Sequence, residues 1–216
     1  MEEIEKKING IKRYRRKWYD NHASTYDKVW WESKESKNEM DRFKTLVKVK
    51  DGEVVLDIAA GTGIFLIEMA NDGAVCYGID ASPKMLEQLK LKIKQKGLED
   101  NVNEVRVCNA DRLPYPDDFF DWLTCVGMLE YYPIEYAEAV LKEIRRALKP
   151  GKKCFIDIVN PIHKEAQRRD HVYKYDLEAF EDMTDRLGFK ILAKNAAGWM
   201  IQYLLACLLS DFSVSH

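Results

Sequence analysis

Apolar residues in the first fifty positions recur at three- and four-residue intervals. Ile4, Ile8, Ile11 and Trp18 form one stripe and Met40, Phe43, Leu46 and Val47 a second, which predicts helices up to about Lys50 and no strand. From Glu53 onward the pattern changes, with short runs rich in β-branched residues alternating with helical stretches. Strands are predicted at 54–58, 75–80, 105–108, 122–126, 154–159 and 189–193. Helices are predicted at 65–70, after Ser82, at about 134–148 and at 177–187. That alternation predicts βαβ units around a parallel sheet. The punctuation agrees: Ser82-Pro83 supplies an N-cap followed by proline at the first helical position, Gly97 and Gly188 end helices, and Pro150-Gly151 stops another. The last run, 199–209, is apolar almost throughout. It reads as a strand buried on both faces, although periodicity does not separate that from a buried helix.

With 216 residues, 46% of them hydrophobic, the chain can bury one sizeable core, so a single domain over 1–216 is the expected organisation. The formal charge of -2 supplies no global field toward nucleic acid or an anionic membrane. Cys76, Cys108, Cys125, Cys154 and Cys207 are scattered singly, without a C-x-x-C pair or zinc-ligand spacing. They read as reduced thiols, mostly buried, and no metal is expected. The opening Met1-Glu2-Glu3-Ile4-Glu5-Lys6-Lys7 is no signal peptide, and no apolar stretch reaches the length of a membrane span. A soluble, cytoplasmic protein is the expectation.

The chemistry-bearing stretch is 56–63, where an apolar strand ends in Asp57 and runs into Ala59-Ala60-Gly61-Thr62-Gly63 ahead of a helix. Gly61 and Gly63 let a ligand lie against the backbone. Dinucleotides and nucleosides with an amino-acid tail both use such a turn. Asp57 would repel a phosphate there but suits the ammonium of an amino-acid tail. A dinucleotide fingerprint would also want a third small residue where Leu66 stands. Asp80 ends the second strand, where a carboxylate can accept from ribose hydroxyls. Asp111 follows the third, where an acceptor could receive an adenine amino group.

At these residues the sequence resembles the class I S-adenosylmethionine-dependent methyltransferases, especially the small-molecule branch with the ubiquinone/menaquinone biosynthesis C-methyltransferases. The likeness runs from about Tyr14 to Ala193. It rests on Leu56-Asp57-Ile58-Ala59-Ala60-Gly61-Thr62-Gly63, Gly78-Ile79-Asp80-Ala81-Ser82-Pro83-Lys84-Met85-Leu86, Ala110-Asp111-Arg112-Leu113-Pro114, Phe120-Asp121 and Leu148-Lys149-Pro150-Gly151, in that order. The resemblance implies an α/β, Rossmann-like three-layer sandwich with a mostly parallel seven-stranded sheet whose last strand is antiparallel. Residues 1–50 would form a helical N-terminal lid on a core at 51–216. S-adenosylmethionine would be the cofactor and S-adenosylhomocysteine the product. Asp57 and the backbone of Gly61 and Gly63 go to the methionyl end, Asp80 to the ribose, Ala81 and Met85 to the adenine surroundings, and Asp111 with Arg112 to the adenine edge, with Ala59 and Val126 also in the cofactor site. The sequence departs from the common pattern at Ala59, where many members have glycine, and at Gly151-Lys152, where a second glycine is common.

The acceptor is less legible. Tyr14, Trp18, Tyr26 and Trp30 are candidates for the lid and the substrate surroundings, with plain core packing as the competing reading. Lys12, Arg13, Arg15, Arg16 and Lys17 read as a solvated helix face. A sulfonium activates its own methyl group, so no dedicated base is required. If one exists, Glu130, Tyr131, Tyr132 and His163 follow strands four and five, at the sheet edge where ligands bind. Cys125-Val126-Gly127-Met128 is not the Asn/Asp-Pro-Pro-aromatic turn of amino-methylating DNA enzymes, and Cys125 reads as a strand thiol and not a nucleophile. The expected function is direct displacement of the methyl group onto a small-molecule acceptor. The alternatives are an RNA or protein methyltransferase using the basic helix, or a non-catalytic regulatory module with a cofactor pocket. A homodimer is left open.

Overall fold

The computed structural model describes residues 2–197 and 199–208. Three helices come first: α1 (Glu2–His22), α2 (Tyr26–Glu32) and α3 (Lys34–Leu46). Alternating units follow as β1 (Val54–Ile58), α4 (Ile64–Asn71), β2 (Val75–Asp80), α5 (Pro83–Lys96), β3 (Val102–Val107), β4 (Phe120–Cys125), α6 (Ile134–Ala147), β5 (Leu148–Val159), α7 (Lys164–Gln167), α8 (Leu177–Arg186), β6 (Phe189–Ala197) and β7 (Met200–Cys207). The seven strands lie in the order β3-β2-β1-β4-β5-β7-β6. The first five are mutually parallel, and β7 runs antiparallel to both neighbours. The predicted architecture is therefore the observed one. The run at 199–209 is a strand over 200–207 with every described side chain but Ala206 buried, and Leu209 lies outside the described residues.

Alternation along β1 shows how the layers form. Leu56 and Ile58 face α6 and α8, while Val55 faces the layer of α3, α4 and α5. The motif-bearing caps form as read: Ser82 Oγ accepts from Met85 N at 3.1 Å, Pro83 opens α5, and Gly97 closes it at φ 65°.

Three boundaries differ from the sequence reading by three residues or more. β3 begins at Val102, three residues early. β5 begins at Leu148 and continues through Pro150-Gly151, because buried Leu148 pairs with Phe120 before the register shifts. Its polar start was misleading since Lys149 and Lys152 reach back to Asp121 and Glu53. β6 runs on to Ala197 as the outer strand, whose exposed face tolerates Lys194 and Asn195.

Candidate functional site

The parallel strands put the β1–α4 and β2–α5 turns and the segment after β4 at one edge of the sheet, at the point where the strand order reverses, as expected of ligand sites in open α/β sheets. Three residues of the first turn adopt left-handed backbone, Ala59 at φ 58°, Gly61 at 54° and Gly63 at 83°. Gly63 is also tightly enclosed, since a Cβ there would stand 2.2 Å from Leu89 Cδ1. The turn is tied to the next strand: Gly61 N donates to Asp80 Oδ2 at 2.9 Å, and Ser82 N donates to Asp80 Oδ1 at 2.7 Å. Each carboxylate oxygen keeps a lone pair for a ligand hydroxyl. Burial pushes the Asp80 carboxyl up to about 6 despite those bonds.

Asp57 is 2% exposed. Its Oδ1 accepts from Thr124 Oγ1 at 2.6 Å, and its Oδ2 is buried with no partner. Burial, reinforced by the charge of Asp80, pushes its carboxyl up to about 7. An orphaned carboxylate oxygen behind a left-handed turn is what a cationic group would relieve.

A cleft opens above these turns and is roofed by α1 and α2. Ala59, Gly61, Asp80, Ala81, Met85 and Val126 line it, as do Tyr26, Tyr131 and Tyr132. Asp57 and Gly63 stand behind its wall. Asp111 is beyond the segment 108–110, accepting from Lys12 Nζ at 2.7 Å and from Tyr136 Oη at 3.3 Å. Arg112 is exposed and off the cleft. Of the remaining lid candidates, Tyr14 is 63% exposed on an outer groove. Trp18 stacks on His22 at 4.1 Å, and Trp30 packs edge-on against Trp31 and Phe65. His163 caps α7, its Nδ1 accepting from Glu165 N at 3.2 Å, and is not in the cleft. Burial raises the Cys125 thiol far above its ordinary range, which leaves it an inert strand thiol.

Glu130 sits in a short 3-10 turn, Leu129–Tyr131, under the cleft. Tyr173 N donates to its carbonyl at 2.7 Å, and the Tyr175 hydroxyl reaches the carbonyls of Leu129 at 2.7 Å and Tyr132 at 2.8 Å. The Glu130 side chain is 2% exposed, with Oε2 unpartnered. Burial pushes its carboxyl up to about 7.

The basic run on α1 is not the uniformly solvated face that its composition suggests. Lys12, Arg15 and Arg16 line the cleft together with Tyr19, while Arg13 and Lys17 are exposed. Their spacing, continued from Ile8 and Ile11, was the available signal. Asp20 was missed altogether: its Oδ1 accepts from Ser82 Oγ at 2.7 Å and Lys84 N at 3.3 Å. Asp27 on α2 accepts from Thr62 Oγ1 at 2.5 Å and Lys92 Nζ at 2.6 Å. These short acidic residues fasten the roof to the nucleotide-type turns.

Residues 56–156 match the methyltransferase domain family. The ubiquinone/menaquinone biosynthesis C-methyltransferase UbiE of Cupriavidus taiwanensis is 32% identical over 131 residues, covering 59% of this chain and 51% of that protein. The chain thus spans about half the length of that relative. A SAM-dependent methyltransferase from Aquifex aeolicus superposes with a TM-score of 0.62 at 19% identity, over 80% of this chain and 89% of its own. The cyclase SpnF shares the fold at a TM-score of 0.69 and 16% identity, over 81% of both chains. The fold, the ordered turns and the domain match agree, and the chain carries a methyltransferase domain over residues 56–156.

Proposed function

We propose that this protein binds S-adenosylmethionine in the roofed cleft and transfers its methyl group directly to a small-molecule acceptor. The observation that carries the reading is the pairing of Asp57, whose buried Oδ2 lacks a donor just behind the cleft wall, with Asp80, whose two oxygens are held by Gly61 and Ser82 at the cleft. One acid fits the methionyl ammonium and the other the ribose hydroxyls. The left-handed Ala59-Gly61 backbone lets the tail lie against the chain. Ala81, Met85 and Val126 supply apolar surface for the adenine, and Asp111 with Arg112 lie on its far side. The bound sulfonium supplies an already activated methyl group. This chain's contribution is alignment, and exclusion of water by α1 and α2. Tyr26 and Tyr131 shape the acceptor side, with Glu130 beneath them; Tyr14, Trp18, Trp30 and His163 act at most through packing.

A small-molecule acceptor is favoured over RNA or protein because Lys12 is committed to Asp111 and Arg15 to the Tyr131 ring, which takes two charges out of the basic run on α1. The names carried by the relatives point the same way. The fold alone decides nothing, since it is shared with a cyclase.

Calorimetric titration with S-adenosylmethionine, S-adenosylhomocysteine and NADH, repeated on Asp57→Ala and Asp80→Ala, tests the reading. Binding of the two sulfur nucleosides that is lost in both variants is expected. Binding of NADH alone would overturn it.

A further inference from the structure

Beyond the cleft floor lies a polar cluster that cofactor binding does not use. Asp157 on β5 is fully buried; its Oδ1 accepts from Gly127 N at 2.8 Å, directly under the cleft lining, and its Oδ2 has no donor. The Glu39 carboxyl, from α3, is within hydrogen-bonding reach of Asp157, a contact that holds only while one of the two is protonated. The carboxyl of Glu130 is close enough to both for repulsion to be felt. Gln202 on β7 is paired across the ladder with Asp157 and shares its face of the sheet. Gln202 Oε1 accepts from Arg42 Nε at 2.8 Å, while its Nε2 is buried and unpartnered.

Three carboxyls therefore meet two guanidiniums. Arg42 is committed to Gln202, and Arg15 lies 3.5 Å from the Tyr131 ring centroid and reaches His171 O. Tyr19, Tyr26 and Tyr131 line the cleft near Glu130, with edge-to-face centroid separations of 6.0 Å for Tyr19–Tyr26 and 6.5 Å for Tyr19–Tyr131. Among the described residues no group of three acid, histidine or cysteine side chains has the geometry of a metal site.

Two buried carboxyl oxygens without donors and the π faces beside them favour a small organic cation, which would draw these raised acids into their ionised form. They disfavour a phenol or carbon acid, whose anion would form against three carboxyls. We propose that the methyl acceptor is an amine, held as its ammonium by Glu130 and Asp157 beneath the Tyr19, Tyr26 and Tyr131 rings. The inference rests on the methyltransferase reading and departs from the acceptor class in the relatives' names. In the step, the ammonium gives one proton to a carboxylate of the cluster. The freed nitrogen lone pair forms the new N–C bond while the C–S bond breaks, its electron pair staying on sulfur. The products are a protonated N-methylamine, a thioether and a protonated carboxyl, with charge conserved. Burial raises all three carboxyls, and repulsion adds to it at Glu130 and Asp157, which suits proton uptake.

The test titrates protein saturated with S-adenosylhomocysteine with phenethylamine and hexylamine and with the matching alcohols, 2-phenylethanol and hexanol. Wild-type protein should take at least one amine and bind its alcohol about tenfold more weakly, the effect of one desolvated charge contact worth about 1.4 kcal/mol. Glu130→Gln and Asp157→Asn should each weaken amine binding to the same degree with the nucleoside titration unmoved. Amine affinity should climb as pH rises through about 7, where Glu130 ionises. Alcohols binding as well as amines, no amine binding at millimolar concentration, or amine affinity unaltered in both variants would overturn the proposal. Failure of the nucleoside itself to bind wild-type protein would instead remove the methyltransferase reading, and this inference with it.

Discussion

Gly63→Ala isolates the local demand of the cofactor-type turn, because two separate obstacles meet at one atom. The backbone sits at φ 83°, and a Cβ would stand 2.2 Å from Leu89 Cδ1 and 3.5 Å from Ile67 Cγ1. The left-handed conformation costs a non-glycine residue about 1–2 kcal/mol. Forcing a methyl against fully buried Leu89 adds about 1–3 kcal/mol of overpacking. A loss of about 2–5 kcal/mol is expected, a large share of the roughly 5–15 kcal/mol that stabilises an ordinary domain. The assay is urea denaturation, with an unchanged slope as the check that the unfolded state is the same. Leu89→Ala alone should cost about 2–5 kcal/mol by opening a cavity. In the double variant the clash disappears and only the backbone cost persists, so the cycle should show about 1–3 kcal/mol of favourable coupling. A Gly63→Ala protein within about 0.5 kcal/mol of wild type, a typical surface-substitution effect, would refute the reasoning, as would strict additivity with Leu89→Ala.

Two further outcomes follow from the buried acids and the turn that carries Glu130. Burial raises Asp57 to about 7, Asp80 to about 6 and Glu130 to about 7. The native state therefore holds more protons than the unfolded chain between about pH 4 and 7, and stability falls as pH rises through that window. Asp121, Glu143 and Glu181, lowered in the fold, reverse the sign below it. Thermal midpoints of ligand-free protein should peak near pH 4 and fall toward pH 7, less steeply in Asp80→Asn; a midpoint climbing from pH 4 to 7 would contradict this. Tyr175→Phe removes a single hydroxyl proton shared between the buried carbonyls of Leu129 and Tyr132, and should cost about 1–3 kcal/mol in urea denaturation. With the turn loosened, it should raise KM for the acceptor while leaving S-adenosylhomocysteine affinity alone.

The half of the site that follows one strand at a time was legible in the sequence. Asp57, Gly61, Asp80 and Met85 lie in short segments where strand end, turn and helix start are consecutive, so local periodicity and caps place them together. Asp111 was legible as a position but not in its partner, because Lys12 arrives from 99 residues away. The start of β5 was hidden by its lysines, whose stems lie along the sheet while their amines find Asp121 and Glu53. The acceptor side could not be read this way. Glu39, Glu130, Asp157 and Gln202 come from four separated segments, and Arg42 meets Gln202 across 160 residues. Nothing local marks a glutamate on a surface-like helix or a glutamine in an apolar strand as members of one cluster.

Helix α1 is where the two halves become one device. On the cofactor side, Lys12 holds Asp111 and Asp20 holds Ser82 and the start of α5. On the acceptor side, Arg15 lies over Tyr131 and Tyr19 closes against Tyr26. One rigid element of 21 residues thus carries contacts to the ribose-side turn and to the rings above Glu130. Lifting it to admit a ligand breaks both sets together, and restoring it for one side restores it for the other. On the proposed function, a ligand that refastens α1 on Ser82 and Asp111 also restores the aromatic wall, and cofactor and acceptor are expected to bind with favourable coupling.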